Sequence, residues 1–176
     1  MIDIITIVNG MLDENCYVAH NGHDALVVDP GSEGNKIINE IKNRNLNVIG
    51  ILITHSHFDH VGALDDVKNE YPNAVIINNK YKGDQSIGMF KFKIIDTPGH
   101  TEDSVSYYFD NNNVLFSGDF LFKGTIGNYP ENMEDDMVKS LNVFKYMSSN
   151  VEVYPGHGPS TTVSDEIKNN PFLRGI

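Results

Sequence analysis

The segment Thr54-His55-Ser56-His57-Phe58-Asp59-His60 places three imidazoles and a carboxylate within seven residues. Side chains of that kind at that density hold divalent metal ions. The spacing says how they would do it. On a helix, residues two apart point to nearly opposite sides, whereas in extended chain they share a face. His55 and His57 can therefore meet one ion only if the chain around them is extended. Val61, Leu64 and Val67 then recur at helical spacing, so Asp59 and His60 stand at a helix start, turn away from the first pair and serve a second ion. His100 and His157 also lie beside Gly or Thr rather than within apolar runs. The two remaining histidines, His20 and His23, flank Asn21-Gly22 and belong to the surface.

These groups need rigid elements to aim them. Residues 48–53 form a continuous, mostly β-branched run, the pattern of a strand buried on both faces, and it delivers His55 and His57. Further strands are predicted over 4–8, 16–20 and 25–29, the last two joined by the hairpin signal Asn21-Gly22, and over 74–78, 92–96, 105–109, 114–117 and 151–154. Helices are predicted with Ile37, Ile38 and Ile41 on one face, ending near Asn45; over 62–70; and, as a long element, with Met137, Leu141, Phe144 and Met147 on one face. Residues 81–89 read as loop or a single helical turn. Asp29-Pro30-Gly31-Ser32 stops the third strand, and Cys16 reads as a small core residue. Four strands end in a candidate group, His55, His100, Asp119 or His157. Ligands held at strand ends on one rim are how a rigid site is built.

Composition bounds the partners. At 176 residues with 40% hydrophobic and 21% charged side chains, the chain is expected to form one domain, 1–176, with its own core. A net charge of −11 with no basic patch argues against nucleic acid and anionic membrane surfaces, leaving a small molecule as the partner. No apolar stretch is long enough to span a bilayer. A single cysteine excludes an intrachain disulfide, and the opening Met1-Ile2-Asp3 lacks a secretory signal, so a cytoplasmic location is expected. Oligomeric state is not legible.

The set Thr54-His55-Ser56-His57-Phe58-Asp59-His60, Pro98-Gly99-His100-Thr101, Ser117-Gly118-Asp119 and Pro155-Gly156-His157 resembles the metallo-β-lactamase superfamily. Asn15-Cys16-Tyr17, Asp29-Pro30-Gly31 and Gly118-Asp119-Phe120-Leu121-Phe122 resemble its glyoxalase II-like branch. The resemblance implies an α/β fold, an αββα sandwich of two mixed β-sheets with helices on the outer faces. It further implies a dinuclear centre, with His55, His57 and His100 on one ion, Asp59, His60 and His157 on the other, and Asp119 bridging them. Zinc suits such donors first, with iron or manganese as alternatives. Paired divalent ions about 3.5–4 Å apart share a hydroxide that attacks a polarised carbonyl. The resemblance makes that carbonyl a thioester's, as in a hydroxyacyl-thiol. A thiolate leaves readily, so Asp59, the candidate catalytic residue, acts as ligand and orienter rather than proton donor. Two divalent ions, two carboxylates and a hydroxide sum to +1, which draws in an anionic thioester.

The sequence departs from full-length glyoxalase II at two places. Only 19 residues follow His157, where the family carries a helical extension that grips glutathione. After Gly124-Thr125-Ile126-Gly127, where relatives place an arginine, stands Asn128-Tyr129-Pro130. Lys123 and Tyr129 are the candidate substrate-lining residues. Two rival readings are an iron-dependent persulfide dioxygenase, which uses two histidines and an aspartate on one iron, and a non-enzymatic metal-binding module. A β-lactamase proper is set aside on the missing signal peptide.

Overall fold

A computed structural model describes residues 1–174. Strands β1 (Asp3–Asn9), β2 (Glu14–His20) and β3 (Asp24–Val28) open the chain, followed by helix α1 (Gly34–Asn43), β4 (Asn47–Leu52), the single turn α2 (Phe58–Val61), α3 (Leu64–Glu70) and β5 (Val75–Ile77). These strands make a five-stranded sheet in the order β1-β2-β3-β4-β5, antiparallel from β1 to β3 and parallel from β3 to β5. The second half begins with β6 (Gly83–Ile87), β7 (Phe90–Asp96), β8 (Val105–Phe109) and β9 (Val114–Gly118). The hairpin β10 (Leu121–Phe122) and β11 (Thr125–Ile126), helix α4 (Glu134–Leu141), β12 (Glu152–Pro155), β13 (Thr161–Thr162) and α5 (Val163–Asn169) complete it. Its six-stranded sheet runs β13-β12-β9-β8-β7-β6, with β12 parallel to β9 and the other pairs antiparallel.

The buried side chains fall into three layers, which makes the molecule a sandwich. Ile7, Cys16, Val27 and Ile51 pack against Ile37 and Ile41 of α1 and Val67 of α3. Tyr17, Leu26, Leu52, Phe92, Tyr107 and Phe116 fill the space between the sheets. Leu115 and Val153 pack under Met137, Leu141 and Val163 of the other helices. Alternate side chains of one strand serve opposite layers, as the period of two requires: Val27 faces the helices while Leu26 and Val28 face the second sheet. This is the expected αββα arrangement of two mixed sheets.

Three expectations need correction. Residues 81–89 are not loop: Gly83–Ile87 is an exposed edge strand paired with β7 through a turn at Gly88, whose φ is +56°. Its Asp, Gln and Ser side chains carry no apolar alternation, so only pairing with a distant, well-patterned strand defines it. The helix placed at 62–70 starts later, as α3 at Leu64, and is preceded by a separate turn, α2, that ends at Val61 with Gly62 as its C-cap. A Cβ on Gly62 would fall 2.5 Å from the Gly31 carbonyl oxygen, a close backbone approach that interrupts the helical run. The long helix is only Glu134–Leu141 and continues as a 3-10 segment through Tyr146, although Met137, Leu141 and Phe144 do share one buried face.

Candidate metal centre

The centre lies where strand ends of both sheets meet. Beyond β4 the chain bends at Thr54 and is extended at His57, which brings His55 and His57 side by side, while α2, beginning at Phe58, turns Asp59 and His60 into the other group. Cross-sheet hydrogen bonds close this edge. Val105 N–H donates to the Thr54 carbonyl (2.8 Å) and the Tyr107 hydroxyl to the Ile53 carbonyl (2.7 Å). Asn15 N–H donates to the Gly156 carbonyl (2.7 Å), the Asn15 side-chain amide to Pro155 and Gly158 carbonyls (2.9 Å each), and the Tyr17 hydroxyl to Pro155 (2.6 Å). The Asn15-Cys16-Tyr17 segment thus fixes the turn that carries His157.

Two groups of ligand atoms result, each with its members within 4.8 Å of one another: His55, His57 and His100; and Asp59, His60, Asp119 and His157. In the first, His57 Nδ1 lies 3.2 Å from His55 Nε2 and 3.0 Å from His100 Nε2. In the second, His60 Nε2 lies 3.2 Å from Asp119 Oδ1, and His157 Nε2 lies 3.1 Å from Asp59 Oδ2. Asp119 Oδ2 stands 3.6 Å from both His100 Nε2 and His157 Nε2, so this carboxylate sits between the groups. All seven residues predicted as ligands are brought together, whereas His20 and His23 lie in neither group.

Outer partners fix the tautomers, and the tautomers point lone pairs inward. His100 Nδ1–H donates to the Asn128 carbonyl (2.6 Å) and His157 Nδ1–H to the Leu12 carbonyl (3.1 Å). His60 Nδ1–H donates to Asp29 Oδ2 (2.9 Å). Thr54 gives its hydroxyl proton to Asp29 Oδ2 (2.6 Å), so Thr54 Oγ1 is left to accept from His55 Nδ1–H (3.1 Å). The inner nitrogens of these rings therefore confront one another and the carboxylates. Such an arrangement needs positive charge at its centre. His60 Nε2 and Asp119 Oδ1 are both buried without a hydrogen-bond partner; their 3.2 Å approach is a charge contact, not an aligned hydrogen bond.

The electrostatics agree. Burial opposes charging of His60, yet Asp29 and Asp119 outweigh it and push its pKa up to about 10. Burial, reinforced by the adjacent His60, takes His55 down to about 4. Burial alone would raise Asp119, but His60, His55 and His157 hold its carboxyl below the usual range. The carboxylates of Asp29 and Asp119 thus call for positive charge at His60, and a divalent ion held by these imidazole and carboxylate donors would supply it in place of a proton.

Asp29 is the functional residue that sequence reading treated only as a strand stop. It is buried, with φ at +49°, and its carboxylate reaches His60 directly and His55 through Thr54. Its signal was the resemblance of Asp29-Pro30-Gly31, which carried no assigned role. Two glycines allow the close packing around Asp119. A Cβ on Gly156 would fall 2.0 Å from Asp119 Oδ1, and one on Gly127 would fall 1.7 Å from the Asp119 carbonyl oxygen. Larger residues at either position would displace the carboxylate.

The β10–β11 hairpin forms one wall. The Phe122 ring stands edge-on to His157 at 6.1 Å between centroids, and Asn128 holds His100. Buried Glu166 anchors the hairpin, accepting from Gly124 N–H (2.9 Å) and Thr161 Oγ–H (2.7 Å), while Asn170 donates to the Thr125 carbonyl (3.0 Å). Lys123 is exposed at the hairpin tip and Tyr129 is half-buried against the outer core of the second sheet.

A metallo-β-lactamase sandwich with paired histidine and aspartate clusters at one edge is the architecture of a metallo-hydrolase. The chain belongs to the metallo-beta-lactamase superfamily, whose sequence pattern matches residues 9–85 and 81–164. It is 32% identical to the probable metallo-hydrolase YqgX of Bacillus subtilis (strain 168), over 95% of each chain. It is 34% identical to the hydroxyacylglutathione hydrolase of Pseudoalteromonas translucida (strain TAC 125) over 81% of this chain, which spans 59% of that relative. Among solved structures, the BLEG-1 B3 metallo-beta-lactamase superposes with a TM-score of 0.92 at 30% identity, covering 98% of this chain and 100% of that one. TTHA1623 in a di-iron-bound form superposes with a TM-score of 0.84 at 27% identity, covering 96% and 100%.

Proposed function

We propose that this protein is a thioesterase of glyoxalase II type, acting on a small hydroxyacyl-thiol or related anionic thioester. The observation that carries this reading is the pair of ligand groups with lone pairs turned inward and Asp119 between them. His55, His57 and His100 would hold one divalent ion and Asp59, His60 and His157 a second, with Asp119 touching both. Zinc is the first choice, iron or manganese the alternatives; the di-iron form of TTHA1623 supports two ions on this fold. Bound there, such ions supply a hydroxide nucleophile at neutral pH and polarise a carbonyl.

The chain's own residues set up the reaction. The Asn128 and Leu12 carbonyls hold His100 and His157 in the tautomer that ligates, and Asp29 does the same for His60 and, through Thr54, for His55. Asp59 orients on the open side, 3.1 Å from His157. Lys123 and Tyr129 remain candidate substrate contacts, and the single buried thiol of Cys16 supports a reducing, cytoplasmic setting. Among the described residues no helix is long and apolar enough to cross a membrane.

Elemental analysis of metal-replete protein, paired with a thioester panel, tests the reading. About two ions per chain and hydrolysis are expected. One ion together with oxygen consumption on a persulfide would assign the dioxygenase, and metal with no turnover of either kind the binding module.

A further inference from the structure

Outside the two ligand groups, two buried oxygen atoms face no donor: Glu14 Oε2 and Asn9 Oδ1. Glu14 is 1% exposed and Asn9 2%. They stand directly opposite each other in the β1–β2 register, two positions on from the Ile7–Cys16 pair whose side chains face the helices. The period of two puts Asn9 and Glu14 on that same face, where opposed side chains start about 5 Å apart. Both then reach one loop. The Asn9 amide donates to the Ser32 carbonyl (2.7 Å), and a Cβ on the adjacent Gly31 would fall 2.9 Å from Glu14 Cγ. Gly10 bounds the same place from the turn side, since a Cβ there would land on the Glu14 carboxylate. The Asp59 carbonyl oxygen also packs on Gly31, so Glu14 lies directly behind the backbone of a metal ligand.

What would bind there is set by the atoms. Both are acceptors, one belongs to a carboxylate, and a charge withdrawn from water without a partner is costly. The neighbouring ionic groups do not compensate it. Lys36 gives its protons to the Val8 carbonyl (2.7 Å) and Glu33 (3.3 Å), and Glu33 is itself a second carboxylate, accepting from Gly10 N–H (3.0 Å). Oxygen donors without nitrogen or sulfur select hard cations. One carboxylate and one amide oxygen carry a single negative charge, which suits a monovalent ion. We infer that Asn9 and Glu14 form a binding site for an alkali cation, sodium or potassium. The ion would tie the β1–β2 turn, whose Leu12 carbonyl orients His157, to the loop that carries Asp29. The inference does not depend on the thioesterase reading.

The test is thermal unfolding of metal-replete protein at fixed pH and ionic strength, with choline chloride exchanged stepwise for NaCl or KCl. The wild-type Tm should rise by about 4 °C across the exchange with at least one of the two salts, because a ligand of the native state alone stabilises it. Glu14→Gln removes the charge, keeps the shape and brings an amide that can donate to Asn9 Oδ1. In choline its Tm should match or exceed that of the wild type, and the exchange should leave it unchanged. Asn9→Ala should likewise lose the response. Lys36→Gln, which alters only the exposed ionic pair nearby, should keep it. A wild-type Tm that ignores both salts, as a proton or a water on Glu14 would give, overturns the site. So does a response that Glu14→Gln retains or, should that variant not fold, one that Asn9→Ala retains, since either would be a general effect of salt.

Discussion

The two ligand groups are built differently. The second is the more enclosed: His60 is fully buried, Asp119 nearly so, and the group contains two carboxylates with a third, Asp29, behind it. The first is three imidazoles with no carboxylate among them, of which His57 is exposed and His100 partly so, held by a threonine hydroxyl and a backbone carbonyl. A buried carboxylate cluster cannot be left without positive charge, because uncompensated charge at low dielectric is costly. Imidazoles near solvent can rehydrate. We therefore expect the second site to be the anchor and the first the exchangeable one.

Replacing Asp119 by Ala should have the largest effect, since it removes the one carboxylate that reaches both groups. At least one ion and nearly all hydrolysis should be lost, with the circular dichroism of the fold retained. An Asp119→Ala protein that keeps two ions and turns over normally would show that the groups do not share this ligand.

Asp29→Asn should come next and act on both groups. An amide nitrogen in place of one carboxylate oxygen sets two donors against each other, so metal affinity should fall by about 10–100-fold at both sites. Thr54→Val sharpens the comparison. It breaks only the path from Asp29 to His55, so titration should show the first ion weakened and the second nearly untouched. Equal losses in Thr54→Val would refute the division.

Chelation should resolve the groups in order. One ion should leave at lower chelator concentration than the other, and the melting temperature should fall in two steps, the second larger, because each ion stabilises only the native state. A single concerted loss would mean that the sites are thermodynamically one. The smallest effect belongs to His20→Ala and His23→Ala on the β2–β3 turn, which should keep both ions and full stability to within about 0.5 kcal/mol.

Much of this centre was legible because its signals are local. His55 and His57 come side by side, as the period of two in extended chain predicts, and Asp59 and His60 point elsewhere because a helical turn begins at Phe58. The continuous run before them, the hairpin at Asn21-Gly22, and the strands ending near His100, Asp119 and His157 all write their pattern within a few residues. Residues 83–87, the β10–β11 hairpin, β13 and α5 were missed because each is short or polar and takes its structure from a distant partner. Glu166, for example, is buried only because Gly124 and Thr161 come to it.

The sequence by itself determined the ligand types, the pairing within His55–His60 and most of the single strands, since backbone geometry and apolar periodicity act over a handful of residues. The layered fold was legible only through the family resemblance of its motifs. Tertiary structure alone decided that His100 meets His57, that Asp119 stands between two groups, and that Asp29 supports both from below. Those contacts join residues 19 to 59 positions apart. No local rule fixes them, because they depend on how the strands are ordered and how far each one runs before it turns.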